Sequence, residues 1–230
     1  MGSAFFVTGT GTDVGKTFFS SLFMAKYARS VGYRYWKPIQ TGAKEANDTE
    51  TVQLSTGLPD SQFLEPVYRF EHPSSPDFAA RREGRELDPK RVVAEIAKHR
   101  NHNVLIEGAG GVFVPWSNSY LGLGAIQESN LDVVVVTSSV LGTINHTLLT
   151  LEVLLSRFVP VVGFYMVGPE NELLDDNIKT IQKFGGVSCL GFTSFPTEKL
   201  DQTAFLAYAK NNFDTKRMLI DNLLPIEDGN

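Results

Sequence analysis

The glycine-rich segment at residues 9–17, GTGTDVGKT, constrains the fold of this chain more than any other stretch. It lies between the apolar run at residues 4–7 and an amphipathic run that begins at Phe18. A strand, a glycine-rich loop and a Lys-Thr pair at a helix start together bind nucleotide phosphates, because free backbone N–H groups and the helix dipole point at the anion. Lys16 would reach the β- and γ-phosphates, and the Thr17 hydroxyl would face a bridging Mg²⁺. The segment therefore predicts a phosphate-binding loop.

The spacing within this loop departs from the usual pattern, in which four residues separate the first glycine from Gly-Lys. Thr10 stands where that glycine is expected, and Gly9 lies one residue further upstream. A glycine-rich turn that binds no ligand is the alternative interpretation. Because Lys16 and Thr17 directly follow Gly15 at the start of the helix, the pattern favours phosphate binding.

The composition indicates one α/β domain over residues 1–230. Hydrophobic residues make up 42% of the chain, enough for one large buried core. The net charge of −5 and isoelectric point near 5.4 argue against nucleic-acid or anionic-membrane partners, which require clustered Lys and Arg. No apolar stretch approaches the roughly 20 residues that span a bilayer, and no signal-peptide pattern is present. With Cys189 as the only cysteine, we expect a cytoplasmic protein without disulfides.

Strand and helix patterns alternate along the chain. Strands are predicted at residues 4–7, 33–36, 104–106, 132–137, 160–167 and 189–195. Helices are predicted at residues 18–32, from Asp48, and at residues 89–99, 123–128, 144–155, 175–184 and 205–213. Residues 59–76 are predicted as loop with short strands, and residues 112–121 as a loop. This alternation predicts a single doubly wound, mostly parallel sheet with helices on both faces.

Four candidate functional elements fall at one edge of such a sheet. They are the phosphate loop, Lys37 after the second strand, Asp48 at a helix start and Glu107 after a later strand. Loops at the carboxyl ends of parallel strands form the ligand crevice. Thr17, Asp48 and Glu107 are oxygen ligands that suit Mg²⁺ beside phosphate and water. Lys16 and Lys37 would neutralise a transferring phosphoryl group, so the set predicts phosphoryl transfer.

Each of these side chains also has a purely structural interpretation. Asp48 could serve only as a helix cap, Glu107 only as the partner of a lysine, and Lys37 only as a surface charge. Their grouping with glycine-rich loops favours the functional interpretation.

Several motifs taken together resemble the dethiobiotin synthetase family, which is of the P-loop NTPase type. They occur in that family's order and spacing, at residues 8–17, KPIQTG at 37–42, SSP at 74–76, EGAGG at 107–111 with Pro115, and LGTINH at 141–146. The longer loop with Gly9 is this family's own variant of the phosphate loop. The resemblance implies an ATP- and Mg²⁺-dependent ligase of biotin synthesis, which closes a ureido ring from 7,8-diaminopelargonate and CO₂ without a covalent enzyme intermediate.

The resemblance also implies roles for individual residues. Thr12, Lys16 and Lys37 would be catalytic, holding the carbamate and the reacting phosphoryl group. Thr17, Asp48 and Glu107 would hold Mg²⁺. The implied nucleotide-binding residues are Asp13, Val14, Gly15, Lys16, Thr17, Phe18, Asp48, Glu107, Gly108, Ala109, Gly110, Val167, Gly168, Pro196, Thr197 and Glu198. The implied substrate-binding residues are Thr41, Ser75, Pro76, Gly111, Leu141, Gly142 and Asn145.

The family pattern implies a homodimer in which two subunits share each site. The segment at residues 141–145 reaches the substrate carboxylate in the partner's site. A capping side chain at a helix start is the alternative interpretation of Asn145.

The sequence departs from the family at the nucleobase pocket. The family commonly has Asn-Asp after the strand that ends here at Met166, whereas this chain has Val167-Gly168. The loop at residues 196–198 is also displaced by two positions from the expected pattern. Because this chain lacks the Asn side-chain amide that would read adenine, we expect it to select less strictly among nucleotide bases.

Two other classes of protein remain as alternatives. A dimeric ATP-driven switch of the partitioning type would share the fold, but such proteins typically carry a second lysine near Thr10 and Gly11. An amidotransferase-type ligase acting on corrin diacids would usually bring a nucleophilic cysteine, for which Cys189 is a poor candidate.

Overall fold

Seven parallel strands form the central sheet of the computed structural model, which describes residues 2–44 and 47–224. The strands of the chain are β1 (Phe5–Gly9), β2 (Arg34–Trp36), β3 (Ile39–Gln40), β4 (Phe63–Leu64), β5 (Tyr68–Arg69), β6 (Val104–Gly111), β7 (Pro115–Ser117), β8 (Tyr120–Leu121), β9 (Asp132–Ser138), β10 (Val161–Val167) and β11 (Cys189–Thr193). The sheet order is β11-β10-β9-β1-β6-β2-β4, and each neighbouring pair in it is parallel. The predicted doubly wound sheet is confirmed.

Helices cover both faces of this sheet. They are α1 (Lys16–Val31), α2 (Asp48–Thr56), α3 (Pro76–Arg82), α4 (Pro89–His99), α5 (Gly122–Ser129), α6 (Thr143–Leu155), α7 (Leu174–Gly185), α8 (Gln202–Asn212) and α9 (Met218–Leu223), with a short 3₁₀ helix at Asp60–Gln62. None of the helices within the described ranges is long and apolar enough to span a bilayer.

The strand β1 shows how one apolar run serves two cores. Phe5 and Val7 pack with α1, α8 and α9 on one face, whereas Phe6 packs with α4, α5, α6 and α7 on the other. Successive side chains of a strand point to opposite faces, so a strand covered on both faces must be apolar throughout. The continuous apolar runs at β1 and β9 are therefore the sequence signature of the sheet centre.

One local prediction was wrong, and two helices lie where no element was predicted. The predicted loop at residues 112–121 contains the antiparallel pair β7 and β8. The short strands predicted within residues 59–76 are present as β4 and β5. The helix α3 follows them, and in it the Ser75 hydroxyl accepts a hydrogen bond from Phe78 N, and Pro76 occupies the first turn. Serine before proline is a helix-start signal, but the surrounding prolines obscured it. The helix α9 had not been predicted; the buried carboxylate of Asp214 accepts hydrogen bonds from Leu219 N and Ile220 N near its start.

Candidate active site

The phosphate loop connects β1 to α1 at the centre of the sheet edge. Thr10 N donates a hydrogen bond to Val136 O at 3.1 Å, so the backbone keeps its sheet pairing one residue beyond β1. Gly15 caps α1 with a φ of 95°, a left-handed conformation that favours glycine. A Cβ at Gly15 would also overlap the Val167 side chain. Both the conformation and the close approach therefore require glycine at this position.

Lys16 lies under the loop rather than in solvent. Its Nζ donates a hydrogen bond to Gly11 O at 2.8 Å, and only 7% of the residue is exposed. Burial, reinforced by the nearby Lys37 ammonium, lowers the pKa of Lys16 to about 8. Thr12 and Asp13 are exposed on the same loop and line the adjoining cavity. The loop thus presents a cation together with an exposed hydroxyl to this cavity.

Thr17, Asp48 and Glu107 meet at one point, as predicted from their positions. Thr17 Oγ1 lies 2.5 Å from Asp48 Oδ1 and 2.9 Å from Glu107 Oε1. A hydroxyl carries one proton, so it can donate to only one of these carboxylates at a time. Two carboxylates and a hydroxyl converging in this way form an oxygen donor set that fits Mg²⁺, whose remaining ligands are normally phosphate and water.

Lys37 lies between the same two carboxylates. Its Nζ is 2.7 Å from Asp48 Oδ2 and 3.0 Å from Glu107 Oε1. Burial alone would lower the pKa of Lys37, but the charges of Glu107 and Asp48 outweigh it and raise the pKa. With 5% of the residue exposed, Lys37 is not a surface lysine. The structural interpretation of Lys37 as a surface charge is therefore wrong.

Asp48 is available to the site because another residue caps its helix. The Asn47 side chain accepts the capping hydrogen bond from Glu50 N. Gln40 Nε2 lies 3.2 Å from Asp48 Oδ2, and Gln40 Oε1 accepts from Asp48 N. Burial favours a raised pKa for Asp48, but the Lys37 ammonium and hydrogen bonds from Lys37 and Thr17 hold the pKa below its usual value. Asp48 is therefore an ionised carboxylate aimed at Thr17 and Lys37.

A cavity of about 770 Å³ adjoins this cluster. Most of the predicted site residues line it, namely Thr12, Asp13, Gly15, Lys16, Thr17, Phe18, Lys37, Thr41, Asp48, Ser75, Pro76, Glu107, Ala109 and Gly110. Gly42, Pro73, Ser74 and Val114 also line it. The glycine-rich end of β6 and the start of α3 therefore face the phosphate loop across one space.

Other predicted residues lie beside this cavity or away from it. Val167 packs against Gly15, and Gly111 approaches Gly11 across the loop. Gly108 O lies 3.4 Å from Lys37 Nζ, and Val14 belongs to the phosphate loop itself. Gly168, Pro196, Thr197 and Glu198 continue from the ends of β10 and β11, and Leu141, Gly142 and Asn145 lie at the start of α6.

The contacts at the start of α6 test the interpretation of Asn145 as a helix cap. Gly142 is the N-cap of α6, and no side-chain hydrogen bond caps this helix. Asn145 is exposed within the first turn. The capping interpretation of Asn145 is therefore wrong, while its predicted role towards a partner subunit stays a prediction.

Two side chains that contact Glu107 were not predicted from the sequence. Ser20 Oγ and Tyr35 OH both donate to Glu107 Oε2. The spacing of each residue could have indicated its place. Ser20 follows Lys16 by one helical turn, and Tyr35 precedes Lys37 by two residues, so each lies on the same face of its element as a predicted site residue. In the described part of the chain, no cluster of three or more His, Cys, Asp or Glu side chains could hold a metal. An ion at Thr17 would thus depend on phosphate and water as well as on protein oxygens.

Comparisons with known proteins agree with this geometry. A family model described as an AAA domain matches residues 3–199. ATP-dependent dethiobiotin synthetase BioD of Leptospira interrogans is 39% identical over 188 residues, covering 82% of this chain and 84% of that protein. The protein of the same name from Rhodopseudomonas palustris is 34% identical over 216 residues, covering 94% and 96%. That from Paramagnetospirillum magneticum is 41% identical over 185 residues, covering 80% and 84%.

Solved structures with a similar fold are more distant in sequence. A ParA family ATPase from Chlorobium tepidum matches with a TM-score of 0.55 at 11% identity, covering 90% of this chain and 97% of that one. The cell division protein MinD of Aquifex aeolicus matches with a TM-score of 0.54 at 12% identity, covering 97% and 99%. At such identities the likeness concerns the fold alone. The family assignment rests on the sequence matches to the three synthetases, which cover most of this chain and most of each relative. This chain belongs to the dethiobiotin synthetase family.

Proposed function

We propose that this protein is the ATP- and Mg²⁺-dependent ligase that closes the ureido ring of dethiobiotin from 7,8-diaminopelargonate and CO₂. One observation carries the proposal: Lys37 lies beside Thr17, Asp48 and Glu107 at the wall of the cavity that the phosphate loop also lines. This arrangement combines a fixed ammonium with a Mg²⁺-type donor set. Such a site suits phosphoryl transfer, in which positioning and charge neutralisation provide most of the catalysis.

The proposed reaction needs no covalent bond to the protein. One amine of the substrate adds to CO₂ and loses a proton, giving a carbamate. A carbamate oxygen then bonds to the γ-phosphorus as the bond to ADP breaks. The second amine attacks the carbamoyl carbon, and phosphate leaves with its bonding electron pair while the amine loses a proton. The net products are the cyclic urea, ADP, phosphate and protons.

The side chains of this chain orient and neutralise the reacting groups. Lys16 would hold the phosphates, and Lys37 would neutralise the carbamate and the transferring phosphoryl oxygens. Thr12 is exposed and lines the same cavity, and its hydroxyl would contact the reacting groups. Thr17, Asp48 and Glu107 would hold Mg²⁺, which when bound would supply positive charge next to the phosphates. Thr41 and Ser75 line the cavity across from the loop and are the proposed substrate contacts.

The chemistry of Cys189 argues against the amidotransferase alternative. Burial raises the pKa of the Cys189 thiol to about 11. The thiolate is the nucleophilic form, so this thiol is unreactive near neutral pH. Its place at the start of β11 serves packing.

We further propose that the protein is a homodimer. Large apolar side chains are exposed on the α6 side, with 93% exposure at Leu141, 58% at Leu149 and 69% at Phe184. Asn145 lies among them and lines a groove of about 250 Å³ with Leu149 and Phe184. Contiguous exposed apolar patches typically mark protein interfaces. Sedimentation should give a dimer mass, and Leu149→Glu should shift it to the monomer mass, whereas a parent monomer would contradict the homodimer.

Phosphate release from ATP tests the ligase activity. The purified protein is assayed with Mg²⁺, with and without 7,8-diaminopelargonate and bicarbonate. The proposal predicts release that depends on both additions. Release that ignores the diamine would contradict the ligase and favour an ATP-driven switch, a function found among proteins of this fold.

A further inference from the structure

The two oxygens of the Glu107 carboxylate have different partners. Oε1 lies 2.9 Å from Thr17 Oγ1 and 3.0 Å from Lys37 Nζ. Oε2 accepts hydrogen bonds from Ser20 Oγ at 2.6 Å and from Tyr35 OH at 3.1 Å. Glu107, Ser20 and Tyr35 are all fully buried. One oxygen is thus held in the interior, while the other meets the groups of the site.

Ser20 and Tyr35 approach Glu107 from two different elements. Ser20 lies three residues after Thr17 on α1, so one helix contacts both oxygens of the carboxylate. Tyr35 lies on β2, which pairs in parallel with the strand that carries Glu107, with Tyr35 opposite Leu105. A terminal carboxylate torsion is broad, and rotation about it exchanges the two oxygens. Two hydrogen bonds to Oε2 oppose this rotation and keep Oε1 facing Thr17.

We propose that Ser20 and Tyr35 are positioning residues that fix the Glu107 carboxylate so that Oε1 is presented to Mg²⁺. This inference rests on the proposed function, in which Glu107 is a metal ligand. Hydrogen-bonded partners that orient a ligand carboxylate are a general feature of metal sites, and their loss typically weakens metal affinity by about 10- to 100-fold. Neither Ser20 nor Tyr35 lines the cavity, so each would act on the metal site through Glu107.

The test measures divalent-ion affinity directly. Mn²⁺ replaces Mg²⁺ as the probe. The full chain, with a non-hydrolysable ATP analogue bound, is titrated with Mn²⁺, and electron paramagnetic resonance measures the free Mn²⁺. Ser20→Ala and Tyr35→Phe each remove one hydroxyl group. We expect each to weaken Mn²⁺ affinity by about tenfold, and the double variant by up to about 100-fold.

Matched controls separate positioning from stability. Tyr33→Phe removes a buried hydroxyl two residues from Tyr35, and Ser129→Ala removes a buried hydroxyl that donates to Ile126 O on α5, away from the site. Both controls should keep the parent affinity. A purely structural role for Ser20 and Tyr35 would lower thermal stability without changing Mn²⁺ affinity. If Ser20→Ala does not fold, Tyr35→Phe decides the question alone.

Glu107→Gln distinguishes failure of this inference from failure of the metal assignment. If Glu107→Gln weakens Mn²⁺ binding but Ser20→Ala and Tyr35→Phe do not, the positioning role is overturned and the metal site stands. If Glu107→Gln leaves Mn²⁺ binding unchanged, both are overturned. Weakening in Glu107→Gln and in both hydroxyl variants, with unchanged controls, supports the inference.

Discussion

The Lys37 ammonium lies 2.7 Å from Asp48 Oδ2, and only 6% of the lysine side chain is exposed. The same nitrogen contacts Glu107, so one cation is shared by two carboxylates at the wall of the cavity. A charge held in this way needs little reorganisation to act on a phosphoryl group, which is how preorganised sites stabilise transition states. Lys37 therefore links the charge balance of the site to its proposed chemistry.

Replacing Lys37 tests this link. Lys37→Ala should lower kcat by about 10³-fold, because a preorganised charge near the reacting group is lost. The fold should be retained, although leaving the buried carboxylate of Glu107 and the partly buried carboxylate of Asp48 without their cation should lower the free energy of unfolding by about 3 kcal/mol. Steady-state kinetics and denaturant unfolding measure the two effects. Lys44→Ala, which removes an exposed lysine paired with Glu71, is the control and should change neither. Near-normal turnover of Lys37→Ala would show that Lys37 is not catalytic.

Gly15 and Gly32 provide a matched pair at the two ends of α1. Both have positive φ, and a Cβ at Gly32 would meet nothing within 4 Å, whereas one at Gly15 would overlap Val167. Gly32→Ala should cost about 1 kcal/mol of stability for the left-handed conformation. Gly15→Ala should cost about 1–3 kcal/mol more, because it also overpacks the buried contact, and should raise the KM for ATP. Denaturant unfolding and kinetics measure these effects.

A second substitution tests whether overlap with Val167 causes the extra loss of stability in Gly15→Ala. Val167→Ala in the Gly15→Ala background should recover part of the lost stability, since it removes the overlapping methyl groups. Equal losses in the free energy of unfolding for Gly15→Ala and Gly32→Ala would contradict a clash with Val167. So would a double variant no more stable than Gly15→Ala.

Local patterns allowed most of the site to be predicted from sequence. The phosphate loop, Lys37, Asp48 and Glu107 each follow or precede a recognisable element, and parallel strands bring such positions to one edge. Ser20 and Tyr35 lie outside the recognisable motifs, so their contacts with Glu107 were not predicted, although each occurs on an element that also positions a predicted lysine. The hairpin of β7 and β8 was missed since strands of two or three residues carry too little periodicity.

We expect weak selectivity among nucleotides. Val167, at the position where the family commonly has Asn, is buried against Gly15 and offers no hydrogen-bonding side chain. The Phe18 and Phe195 rings pack with centroids 5.1 Å apart near the same end of the loop. Apolar contacts discriminate by only about 10- to 200-fold, whereas a hydrogen-bonded pocket reaches about 10⁴. We expect kcat/KM values for ATP, CTP and GTP within about 100-fold of one another. A preference for ATP near 10⁴-fold would show that other groups read the base.

The pair His99 and Trp36 provides a pH-dependent signal. Burial, together with the charges of Arg34 and His102, lowers the pKa of His99 below 6.5 against the opposing charge of Glu95. The folded protein therefore binds fewer protons here than the unfolded chain. The stability that His99 contributes is full above pH 6.5, the ordinary value, and falls as the pH decreases towards the lowered pKa.

Fluorescence can follow this titration. The His99 and Trp36 ring centroids lie 5.2 Å apart, so an imidazolium should quench Trp36. In Trp116→Phe, which leaves Trp36 as the only tryptophan, the quenching midpoint should lie below pH 6.5. His99→Gln should abolish the transition. A midpoint at or above pH 6.5 in the histidine-containing protein would contradict the lowered pKa.

Direct detection of the product tests the central claim. The purified protein is incubated with ATP, Mg²⁺, 7,8-diaminopelargonate and isotopically labelled bicarbonate, and the products are analysed by mass spectrometry together with ADP. The account predicts dethiobiotin with the label in its ureido carbonyl and one ADP per ring closed, with both lost in Lys37→Ala. ADP formation without labelled dethiobiotin would contradict the account.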